Sequence, residues 1–327
     1  MDRTRAKKAL KAHAFRAWSS ALRRCLAPSG DCQEPGIKAH SVQREGAVRL
    51  LSSEGHVIQI RMRLDLDQGP EITFRSVGVN RATVFTGLCA QHDSVLFGPI
   101  EHEEVDLTNR EHLFLLAYRA FLRETHASME AAARLLSTYQ KQCELGLVDA
   151  NEITRGGMIA VQRGMVAYQL WLYEQEIDRA FVRGDLDIIV HDVLCLGQTG
   201  PCIAVSALFS LDDVPVRDDV ARVALTVLPA PEGQTHAIFA YTKRDASPAR
   251  RRLRSVLRAP SSALCYRVSR LVLDTTENIV ISPLHFARFS PDKRKTILDF
   301  FCSTVLASAP EFNHPDLNLF EIAQSNH

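Results

Sequence analysis

Cys25 and Cys32 bracket the segment Leu26-Ala27-Pro28-Ser29-Gly30-Asp31, and far downstream Cys89 and His92 stand at positions i and i+3. Pro28 and Gly30 let the backbone fold back so that both thiols of the first pair face one point. The second pair has the spacing that puts two donors on one face at the start of a helix. Soft or borderline donors delivered as two short pairs are what a tetrahedral zinc ion takes from a chain. One ion shared by both pairs pins two distant segments together, which constrains the fold more than any other feature of this sequence. The expectation is a Cys3His zinc site of Cys25, Cys32, Cys89 and His92. The alternative is a set of small buried hydrophobes, since the gap between Cys25 and Cys32 is longer than the common zinc spacing.

The other five cysteines, Cys143, Cys195, Cys202, Cys265 and Cys302, sit inside apolar helix or strand patterns without partners at ligand spacing and read as core. The start, Met1 to Lys11, is basic with no apolar stretch behind it, and no run approaches the roughly 18 apolar residues of a membrane span. Reduced thiols, a cytoplasmic location and no membrane contact are therefore expected.

With 327 residues, 46% of them hydrophobic, the chain can bury a large core and build two or three compact units. Its 39 Lys+Arg nearly cancel 38 Asp+Glu, so any nucleic-acid contact must come from a local patch. A basic helix is expected from Asp2 to Leu26, with Leu10, Ala14, Trp18, Ala21 and Leu22 along one face. Alternating residues then predict short strands at Ile37 to Val42, Val57 to Leu64 and Ile72 to Val79, the last two separated by the turn Asp67-Gln68-Gly69-Pro70. A cap at Thr108-Asn109-Arg110-Glu111 opens a helix through His112 to Glu144, and Met158 to Phe181 repeats the helical spacing. Strands follow at Asp187 to Leu196, Pro201 to Phe209, Arg222 to Leu228 and His236 to Thr242. Helices are expected at Pro248 to Leu257, Ala263 to Leu273 and Pro291 to Leu306, with the tail after Pro310 extended or loosely docked.

Between the two cysteine pairs lies Ile37-Lys38-Ala39-His40-Ser41-Val42, a His on a short strand. A cysteine pair, a strand carrying Ala39-His40, and then Leu88-Cys89-Ala90-Gln91-His92-Asp93 opening a helix resembles the HNH, or ββα-metal, endonuclease module on a treble-clef zinc scaffold. The resemblance covers about the first third of the chain. It implies metal-dependent hydrolysis of nucleic-acid phosphodiesters, in the setting of phage defence or mobile elements. His40 would be the general base that activates water, and Asp93, where the family carries His or Asn, would hold magnesium or another divalent cation beside the structural zinc. The family's central Asn has no clear counterpart, Thr83 and Asn80 being the nearest polar residues. Apart from the resemblance, His40 also reads as a hydrogen-bonded core histidine or a competing zinc ligand, and Asp93 as a carboxylate favoured by the helix N-terminus. The blocks around Ala39-His40, Thr86 to Phe97 and Glu277 to Pro283 are similar to a group of uncharacterised bacterial proteins, which lends no function.

The acidic run Ile100-Glu101-His102-Glu103-Glu104-Val105-Asp106 reads as a solvated face that could add carboxylate ligands for a hard cation. Arg251, Arg254 and Arg258 fall at steps of three and four within a basic cluster and form a candidate phosphate-contacting stripe on one helical face. No GxGxxG, GxxxxGK[ST] or GxSxG occurs, so dinucleotide, nucleoside-triphosphate and hydrolase-elbow readings lack support. The fold class expected is α+β: a small treble-clef-like zinc module (residues 1–108), a helical pair (109–183), and a C-terminal antiparallel sheet with helices (184–327) suited to a protein partner. Two functions follow, a degenerate HNH-like nuclease or a non-catalytic, zinc-stabilised binding or sensing protein.

Overall fold

The computed structural model describes residues 2–65, 69–152, 154–211, 220–305 and 313–320. Asp67 and Gln68 of the expected turn lie outside them, as does most of the tail. The elements run α1 (Arg3–Ser19), β1 (Ile37–His40), α2 (Arg49–Leu51, following a π turn), β2 (His56–Asp65), β3 (Gly69–Gly78), β4 (Val84–Leu88), α3 (Ala90–His102), α4 (Arg110–Glu144) and α5 (Arg155–Val182). Then come β5 (Ile189–Gln198), β6 (Ile203–Ser210), β7 (Arg222–Pro229), β8 (Gln234–Thr242), α6 (Ala246–Arg252), α7 (Arg254–Leu257), α8 (Ser261–Thr275), β9 (Ile279–Ile281), α9 (Pro283–Ala287) and α10 (Pro291–Val305). The class is α+β.

Among the described residues the strands form two sheets. β1 and β4 pair antiparallel as a two-stranded sheet, and the rest make a seven-stranded antiparallel sheet in the order β3-β2-β9-β6-β7-β8-β5. The β2–β3 hairpin, which lies between β1 and β4 in the chain, thus joins the sheet built by residues beyond 189 through the pairing of Ile58 with Ile281.

Both faces of this sheet are covered, so its inner strands read as almost unbroken apolar runs. On β6, Ile203, Val205, Ala207 and Phe209 pack into one core with Val268 and Val272 of α8 and Ile297 and Phe300 of α10. Leu208 faces the opposite core, where Phe114, Tyr118 and Phe121 of α4 meet Tyr173 and Ile177 of α5. Asn109 caps α4 by accepting from the Glu111 and His112 amides, and Thr154 caps α5 by accepting from Gly157. α4 therefore starts at the expected cap, α5 starts at Arg155, ahead of the expected Met158 and with Gly156 and Gly157 in its first turn, and the pair lies on the sheet with its aromatic face down.

Three local expectations differ from the structure. The basic N-terminal helix stops at Ser19. The helix expected through Leu257 is broken at Leu253 into α6 and α7, because Leu253 and Val256 both turn inward to the core. The described part of the tail is firmly docked, with Leu317, Leu319 and Phe320 buried and the Leu319 amide donating to Ser269 Oγ. Of the five cysteines read as core, Cys202 and Cys265 are buried, Cys143 and Cys302 half-buried and Cys195 exposed; all eight are free thiols. No helix is long and apolar enough to cross a membrane among the described residues.

Candidate metal centre and the adjoining cavity

The segment between α1 and β1 is irregular, and side-chain and backbone contacts fasten it to β4. The Leu26 amide donates to the Gly87 carbonyl at 2.8 Å, and Thr86 Oγ1 donates to the Leu22 carbonyl at 2.9 Å. Gly30 takes a φ of +78° and its amide donates back to Ala27, closing the turn that returns Cys32 towards Cys25. Gly36 runs so close to β4 that a Cβ there would lie 2.0 Å from the Thr86 carbonyl oxygen, so only glycine fits.

β4 then delivers Cys89 at the N-cap of α3 and His92 in its first turn. The result brings all four expected ligands together: the donor atoms of Cys25, Cys32, Cys89 and His92 lie within 4.8 Å of one another. The Cys25 and Cys89 sulfurs are 3.4 and 3.2 Å from His92 Nδ1, and the Cys32 and Cys89 sulfurs are 3.9 Å apart. A tetrahedral zinc ion with Zn–S of about 2.3 Å and Zn–N of about 2.0 Å spaces its donors roughly 3.5–3.8 Å apart, which these separations approach. The set is a possible metal site compatible with zinc, and among the described residues it is the one cluster of this kind.

Its electrostatics fit a cation. Burial pushes the Cys25 thiol up to about 11, against hydrogen bonds from the Cys89 and Ala27 backbone, whereas the His92 amide chiefly draws Cys89 down. A bound cation would favour the thiolate form of both.

A cavity of about 260 Å³ has both His40 and Asp93 in its lining, with residues of β1 and α3. His40 Nε2 sits 3.1 Å from the Val79 carbonyl oxygen. A carbonyl only accepts, so Nε2 carries the hydrogen and Nδ1 is the basic nitrogen of the neutral ring. Burial first, then Arg44 and Arg119, lowers the His40 pKa, the Val79 carbonyl and Glu101 opposing. Burial raises the Asp93 carboxyl, with Arg119 opposing.

Glu101 and Arg119 also belong to this cavity. Arg119 is only 2% exposed; it donates to Glu101 Oε1 at 2.6 Å, its guanidinium lies over the Phe97 ring, and its Nε has no partner. The acidic run thus divides: Glu101 turns inward to Arg119 and to the Arg44 amide, while His102, Glu103 and Glu104 are exposed. Arg119 carried no signal in the sequence, because only the packing of α3 on α4 brings it to Glu101. Arg251, Arg254 and Arg258 do not line this cavity; they are exposed on α6, on α7 and just beyond it, so the break at Leu253 removes the single helical face expected for them.

Comparison with protein-family models, with curated proteins and with solved structures finds no match.

Proposed function

We propose that the cysteine loop, β1, β4 and α3 form a zinc-clipped ββα centre that hydrolyses nucleic-acid phosphodiesters, with His40 as general base. The observation that carries this reading is the convergence of His40 and Asp93, from separate elements, on one cavity beside the Cys3His cluster. The order of loop, strand, strand and helix, with ligands from the loop and the helix start, supports the HNH-like resemblance. The Val79 contact orients the imidazole and leaves Nδ1 to take a proton from water. Arg119, whose Nε has no partner, offers positive charge to a phosphate in the cavity, Arg44 being held by Glu45, and Asp93 is the residue to hold a divalent cation. Such a cation, when bound, supplies charge neutralisation at the phosphate. The zinc in this reading is structural and keeps α3 in place against β1.

A second reading, a zinc-stabilised binding module, is favoured by the neighbouring cavity of about 530 Å³. It shares Glu45, Glu101 and His102 with the first and adds Glu103, Glu104 and Glu232. Such an acidic wall repels phosphates and suits a cationic protein partner.

His40→Ala separates the two. The nuclease reading expects loss of magnesium- or manganese-dependent cleavage of DNA or RNA by about 100-fold or more, with zinc content and melting temperature unchanged. Wild-type cleavage should be level at neutral pH and fall on acidification only below the usual histidine value of about 6.5, as Nδ1 takes up a proton. Undiminished cleavage by the variant, or none by metal-loaded wild type, would sink it.

A further inference from the structure

The middle of the large sheet contains an opening. β9 is three residues long between β2, of ten, and β6, of eight. It pairs with β6 from Ile203↔Ile281 to Val205↔Ile279, and there the ladder ends. One step further, the Asn278 side chain takes over, its Nδ2 donating to the Ser206 carbonyl at 2.9 Å and to Ser41 Oγ at 2.8 Å. A cavity of about 200 Å³ occupies the opening, and its lining includes Gln59 and Arg61 of β2, Arg123 of α4, Thr83 and Glu277. None of its lining residues belongs to the His40 cavity.

Three observations point to a missing anion. Thr83 is only 5% exposed, yet its Oγ1 is buried without a partner. Its φ is +56°, a conformation costly for a β-branched residue and one that a functional constraint would maintain. Arg61 donates to Gln59 Oε1 at 2.7 Å, but neither it nor nearby Arg81 has an ion-pairing carboxylate among the described residues. Although Arg61 is an exposed residue, the surrounding protein desolvates it, and Arg81 and then Arg123 add repulsion, all lowering its pKa. Glu277, at the same opening, forms no ion pair with Arg61 or Arg123; Arg123 pairs with Glu124 through Nη1 at 2.7 Å, which leaves its Nη2 and Nε for an anion.

We propose that the opening at the end of β9 is a phosphate-binding pocket, in which the Arg61 and Arg123 guanidiniums and the Thr83 hydroxyl hold the oxygens of a phosphoryl group. A phosphoryl group offers several acceptor oxygens, enough for two guanidiniums and a hydroxyl at once, and its charge relieves the crowding of cations. The site stands whether or not His40 is catalytic.

Calorimetric titration of the metal-loaded full chain with inorganic phosphate, at ionic strength balanced by chloride, tests the pocket. Wild type is expected to bind, and Arg61→Gln and Thr83→Gly each to weaken binding about tenfold or more. Thr83→Gly is the informative variant: glycine accepts the positive φ, so the melting temperature should hold or rise while affinity falls. Arg123→Gln provides the same readout where Arg61→Gln does not fold. Parallel titration with a 5′-mononucleotide separates two sources of the group: tighter binding than phosphate marks a nucleotide, weaker binding marks free phosphate. Absence of phosphate binding by wild type, or full affinity in Thr83→Gly and an arginine variant, overturns the proposal.

Discussion

Glu174 and Asp178 lie one helical turn apart on α5 and are both 2% exposed. Burial, then the Asp178 charge, holds Glu174 well above the usual carboxylate range, the Thr125 hydroxyl opposing. Burial raises Asp178 to about 6, although Tyr118 donates to its Oδ1 at 2.5 Å. Carboxyls whose folded-state pKa is raised stabilise the fold fully below their unfolded value, and this stability is lost as pH rises towards the folded value. Between pH 4 and pH 7 the wild type should lose roughly 2–3 kcal/mol through Asp178 alone, with a further loss in the same direction from Glu174. Glu174→Gln should be spared part of that loss, so its stability relative to wild type rises with pH. Urea denaturation across that range checks the sign; a variant whose stability relative to wild type stays flat or falls with pH contradicts it. At the same scale, the clustering of Cys25, Cys32, Cys89 and His92 was legible in sequence because soft donors recur there in two short pairs. Cys195 was misread as core because an apolar neighbourhood in sequence says nothing about which side of an edge strand faces solvent.

Elements with many periodic residues could be read directly from the chain. α4 and α5 begin at their caps and extend over the apolar spacing, and β5 to β8 fall within two or three residues of their alternating or apolar runs. Short elements could not be read this way. β4 has five residues and β9 three, so each is defined by what pairs with it and not by a pattern of its own. The candidate site was half legible: His40 and Asp93 were picked out by the HNH-like resemblance, whereas Arg119 and Glu101 meet only because two helices cross. β9 leans on Asn278, whose side chain replaces the missing ladder bonds. Asn278→Ala should therefore cost about 2–3 kcal/mol, since it strips the Ser206 carbonyl and the accepting side of the Ser41 hydroxyl of a buried donor. A lower urea midpoint with an unchanged slope is the expected result; an unchanged midpoint would mean that water replaces the amide.

At the scale of the molecule, the candidate metal cluster is continuous with a large buried core. Cys25 and Cys89 belong to the same packed group as Phe114 and Tyr118 of α4 and Leu208 and Ala224 of the large sheet. A metal bound there would stabilise more than its own loop. Chelation at neutral pH should lower the melting temperature by about 5–10 °C and loosen α3 and α4 together. Hydrogen exchange before and after chelation reads this out, and protection lost only in the cysteine loop would show the cluster to be a local clasp.

The pairing of β2 with β9 also has a consequence for synthesis. A ribosome delivers the β2–β3 hairpin early, but its neighbour arrives only when the chain has grown from Ile58 to Ile281. At about 5–20 residues per second, that is a wait of roughly 10–45 s. During the wait one edge of β2 is without its ladder, a surface on which a second nascent chain could pair. Yield in the cell should thus depend on how fast translation crosses this interval and on chaperones that occupy the hairpin meanwhile.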